Sequence, residues 1–94
     1  MYLKYKDQII INTDNVLNIY ISRTVKHTIN FVSPYNYTEF NFISEPNRDE
    51  LTQNILNLIF TYMNLEKRIF NIDLYITSNT PQENKPTDIT QLDM

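Results

Sequence analysis

Tyr37-Thr38-Glu39-Phe40-Asn41-Phe42-Ile43, then Ser44-Glu45-Pro46-Asn47-Arg48-Asp49-Glu50, then Leu51, is the stretch where the chain changes its hydrophobic period. Up to Ile43 the apolar residues alternate. Phe40 and Phe42 fall on one side and Glu39 and Asn41 on the other, the pattern of a strand with one wet face. From Leu51 the period lengthens: Leu51, Ile55, Leu58, Ile59 and Tyr62 recur at helical spacing. Pro46 is tolerated in a first helical turn, and acidic Asp49 and Glu50 favour that end. Ser44 or Asn47 is placed to cap the helix, Asn47 forming a weak capping box with Glu50. Asn64 is the expected left-handed residue at its end.

Backward from this point the chain reads as strands. Val16–Ser22 puts Leu17, Ile19 and Ile21 on one face, and His27–Ser33 puts Ile29 and Phe31 inward. Ser33-Pro34-Tyr35-Asn36 suits a tight turn with proline at its second position. Three strands joined by short turns make a meander. Before it, Leu3 and Tyr5 alternate with Lys4 and Lys6, and Ile9-Ile10-Ile11 is β-branched. Asn12-Thr13-Asp14-Asn15 is a turn between strands, built of side chains that bond their own backbone.

Forward of the helix, Phe70, Ile72, Leu74 and Ile76 alternate with Asn71, Asp73 and Tyr75. This predicts a strand over Lys67–Thr77. The expected fold is α+β: a five- to six-stranded, mostly antiparallel curled sheet packed on one amphipathic helix, with a strand after the helix. Residues 1–77 form the single domain. Residues 78–94, polar and marked by Pro81 and Pro86, are expected to be a disordered tail.

Composition excludes much chemistry. The 94 residues contain no cysteine, so disulfides and thiolate metal sites are absent. With no apolar run of signal-peptide or membrane-spanning length, a cytoplasmic protein is expected. A net charge of -3 argues against non-specific attraction to nucleic acid or membrane. The chain also has no glycine, where ordinary usage would supply roughly six or seven. Abundant Asn, Ile, Lys, Tyr and Phe point to an AT-rich genome; small proteins of that kind are common on phages and other mobile elements. Without glycine there is no phosphate-binding loop, dinucleotide fingerprint or nucleophile elbow. Left-handed positions are expected to fall to Asn or Asp.

His27 is the single histidine, and no serine sits in a recognisable nucleophile context, so a triad has no footing. A zinc site would need three or four ligands, more than one histidine and scattered carboxylates supply. Asn12-Thr13-Asp14-Asn15 opens like a calcium loop but lacks its glycine and closing Glu. Glu39 and Asp73 are the carboxylates left for acid–base work, and alternation places both on solvated faces. No catalytic residue, metal or cofactor is expected.

Two surfaces remain. Leu56, Phe60 and Met63 widen the apolar stripe of the helix beyond one packing face; with Phe70, Ile72 and Leu74 of the following strand they form a candidate dimer or partner interface. Lys4, Lys6, Tyr20, Arg23, Lys26 and His27 form a candidate nucleic-acid or phosphate contact. The first surface supports the leading expectation: a non-enzymatic interaction protein (regulator, adaptor or inhibitor) acting as a homodimer with a protein partner and no membrane. The alternative is a nucleic-acid-binding module.

Overall fold

The computed structural model of the chain describes residues 1–6 and 9–79. Its class is α+β, but the strands form two three-stranded sheets rather than one curled sheet of five or six. The first sheet has the order β2-β1-β6, from β1 (Tyr2–Tyr5), β2 (Ile9–Asn12) and β6 (Ile69–Asn71). The second has the order β3-β4-β5, from β3 (Asn18–Ile21), β4 (Thr28–Val32) and β5 (Tyr37–Asn41), and is the expected meander. Helix α1 (Arg48–Asn64) packs on β3 and β4, and α2 (Ile72–Asn79) packs on β1.

The sheets separate at Asn12–Asn15. Thr13 donates both its amide and its hydroxyl to the Met1 carbonyl, at 2.8 and 3.1 Å. Asn12 Oδ1 accepts the Asp14 amide, closing one turn of 3-10 helix over Thr13–Asn15. That turn holds the chain on β1 and then carries it away, so β3 does not pair with β2. The vacant side of β1 is filled by β6, which runs parallel to it with Leu3 opposite Phe70.

The expected strand over Lys67–Thr77 is corrected by the same region. Pairing stops at Asn71, whose Oδ1 accepts the Leu74 amide at 3.0 Å, a side-chain cap on a helix start. Ile72 and Ile76 stand four apart, a spacing that satisfies a strand and a helix alike. In α2 both turn into the core while Leu74 turns to solvent. α2 takes in Ser78 and Asn79, the first two residues of the expected tail; the rest of that tail lies outside the described residues.

One core serves both sheets. Leu3, Ile11 and Phe70 enter it from the first; Ile29, Phe31 and Phe40 enter from the second. Ile55 and Ile59 close it from α1, and Phe70 stands edge-on to Tyr62 at 5.0 Å. Leu17, placed on one face with Ile19 and Ile21, lies one residue before β3 begins and is exposed, while those two are partly buried against the core.

The positive-φ positions are Lys6, His27, Asn47 and Glu66 among the described residues, so only one falls to Asn. Asn47 precedes α1 in the left-handed conformation and makes no side-chain cap, so the capping box is not formed. Asn64 is the last helical residue, and the left-handed turn comes two residues later. The amides of Glu66 and Lys67 reach back to the carbonyls of Met63 and Tyr62, a Schellman closure with Glu66 where glycine is usual. A side chain in that conformation costs about 1–2 kcal/mol. Glu66→Gly is therefore expected to stabilise the fold by about 1 kcal/mol and to raise the thermal midpoint by about 4–8 °C, measured by circular dichroism. A lowered midpoint would count against this closure.

Candidate functional site

Three of the titratable side chains, those of His27, Asp73 and Tyr5, are engaged in holding the fold. His27 Nδ1 lies 2.9 Å from Asp49 Oδ1, which ties the β3–β4 connection to the first turn of α1. Asp73, in the first turn of α2 rather than on a strand, accepts the Lys6 amide at 2.7 Å and so ties α2 to the β1–β2 hairpin. Glu39 stands exposed on β5. Among the described residues no three His, Asp or Glu side chains are gathered where they could hold a metal ion.

Tyr5 is the most altered of these groups. Its ring is buried against Phe40 and Phe42, and its hydroxyl donates to Glu45 Oε2 at 3.0 Å and, at 3.4 Å, to the Asn41 carbonyl. Burial first, then the hydrogen bond to Glu45 and its charge, with Asp73 behind, push the phenol far above its ordinary range. No nucleophile or general acid pair comes with it. This is a structural phenol joining β1 to the segment leading into α1.

The basic and aromatic residues do not share one face. Lys4 lies on the outer face of the first sheet, opposite Leu3 and Tyr5. Lys6 follows β1, with its ammonium 5.5 Å from the Tyr5 ring. Tyr20 belongs to the outer face of the second sheet, beside Asn30, which accepts the Tyr37 hydroxyl. Arg23 and Lys26 are exposed in the β3–β4 connection, and His27 is committed to Asp49.

The apolar residues divide differently. Phe70 and Ile72 are 5% and 0% exposed, so both belong to the core and neither is open to a partner. Leu74 is 62% exposed on α2, beside Ile69. On α1, Leu56 is half-buried against the core while Phe60 and Met63 are 45% and 36% exposed. Their spacing of four and then three puts the three on one helix face.

A second surface, of mixed polarity, was not legible in the sequence. A groove of about 560 Å³ runs beside β2. Ile10 and Leu17 on one side and Tyr35 on the other are all exposed. Its polar lining comes from Asn12, Asp14, Ser33 and other short side chains. The available signal was the uncharged run Ile9-Ile10-Ile11, read simply as a strand; which side of it lies open depends on tertiary pairing. Comparison with family models, with curated proteins and with solved structures gives no match.

The raised phenol gives a pH prediction. Tyr5 titrates higher folded than unfolded, so its contribution is fully present below the unfolded value of about 10. It is lost as pH climbs above that value. Denaturant titrations from pH 8 upward should show a stability loss in the wild type beginning near pH 10 that is smaller in Tyr5→Phe. At pH 8 the same variant should be less stable by about 1 kcal/mol.

Proposed function

We propose that the chain is a small non-enzymatic protein-interaction protein that pairs with a second copy of itself across the outer face of α1. The observation that carries this reading is the row Leu56, Phe60 and Met63. It continues the apolar stripe of the helix past the residues the core uses, and leaves two large side chains more than a third exposed. A two-fold axis beside such a row sets each copy's Phe60 against the same surface of the other, the isologous contact of the commonest oligomers. Several features support a non-enzymatic role: His27 and Asp73 serve the fold, and the chain lacks cysteine and glycine. Among the described residues no helix is long and apolar enough to cross a membrane.

Light scattering after gel filtration is expected to give twice the chain mass at micromolar concentration. Phe60→Glu and Met63→Glu should each return the monomer mass, with the helical circular dichroism kept, because both sites face solvent. A monomer mass for the wild type throughout the micromolar range overturns the dimer.

A further inference from the structure

The ladder between β1 and β2 fixes which backbone groups of β2 are free. Thr13 donates to the Met1 carbonyl, and the register pairs Leu3 with Ile11 and Tyr5 with Ile9. By the alternation of an antiparallel pair, odd-numbered residues of β2 turn their N–H and C=O toward β1. Ile10 turns both of its groups, and Asn12 its N–H, the other way, toward the groove; the Asn12 C=O opens the 3-10 turn. The Tyr2 amide obeys the same alternation by donating to Arg68 on the far side of β1.

Open strand edges are ordinarily guarded by charge, proline, shortness or cover. Among the described strands two of the four edges are: β5 carries Glu39, and β6 is three residues long and preceded by Lys67 and Arg68. β3 is uncharged like β2 and has α1 packed against it. β2 has no charge and no proline. Its edge opens into a groove whose floor includes Ile11 and Phe31 and whose opposite wall is the β4–β5 turn with Thr38. The volume, about 560 Å³, lies within the range of about 300–1,000 Å³ typical of ligand pockets.

We propose that this groove receives an extended peptide segment of another protein, which adds to β2 as a fourth strand of the first sheet. An extended backbone satisfies the N–H and C=O of Ile10 and the N–H of Asn12 together. Side chains of the added strand alternate between the floor at Phe31 and Thr38, which takes apolar residues, and the solvent beside Ile10. Among the described residues Asp14 is the single charged side chain lining the groove, so a Lys or Arg at that end of the peptide complements it. A second copy is the poorer occupant. Its β2 would arrive with its own β1 alongside, in the space that the wall at Pro34 and Tyr35 already bounds. The proposal does not depend on the α1 dimer.

The test pans a library of short random peptides displayed on phage against the full chain. Enriched peptides are then synthesised and measured by fluorescence anisotropy. The expected consensus alternates apolar residues and carries a basic residue at one end. N-methylation of alternate peptide amides should weaken binding by about tenfold, the loss of one or two hydrogen bonds. Ile10→Pro removes an outward N–H without touching the ladder to β1 and should weaken binding as much. Should that variant fail to fold, Leu17→Glu on the groove wall reads the same loss, and Asp14→Lys should abolish the preference for the basic residue. No enriched peptide family, or binding indifferent to N-methylation, overturns the proposal. So does a doubled mass that Ile10→Pro halves and Phe60→Glu leaves unchanged, which would put a second copy on this edge.

Discussion

The ring of Tyr5 lies 5.4 Å from Phe40 and 4.9 Å from Phe42, and its hydroxyl reaches Glu45. Those contacts join β1 of the first sheet to β5 of the second and to the segment that leads into α1. Two sheets of three short strands are individually marginal. They become one domain because their apolar faces meet over a shared core, and Tyr5 stands at the seam with Phe40 packed in turn on Phe31. The position of α1, the closing of the core by Ile55 and Ile59, and the groove beside β2 all follow from how the two sheets are set together.

A chain without glycine has to place ordinary side chains where the backbone turns left-handed. Lys6, His27 and Glu66 do so, each at the end of an element. Two of the three are compensated locally: the amide of Lys6 bonds Asp73, and the ring of His27 meets Asp49. Glu66 has only the Schellman amides behind it. Strain at element ends is thus offset by contacts that also fasten helices to strands.

The meander and α1 were legible because each carries its own period. Phe40 and Phe42, or Ile55 and Ile59, declare a face without reference to anything distant. α2 was not legible, since Ile72 and Ile76 fit two periods and the deciding signal was one side-chain cap at Asn71. The division into two sheets was hidden as well: it depends on Thr13 staying with Met1 and on β6 choosing β1 across most of the chain. Of the candidate interface, the excess on α1 was readable from Phe60 and Met63. Phe70 and Ile72 were misplaced with the strand that turned out to be half helix, and the groove beside β2 belongs to an edge that no local pattern reveals.

The parallel pairing of β1 with β6 bears on how the protein is made. β1 is synthesised about sixty residues before its partner β6. Until then the hairpin of β1 and β2 waits with both outer edges unpaired, and Leu3 has neither Phe70 beside it nor Ile72 behind it. The second sheet and α1, whose contacts are closer in sequence, are free to assemble first. Synthesis therefore leaves the first sheet as the late and exposed part of the fold, and chaperones or premature strand pairing would act on β1 and β2.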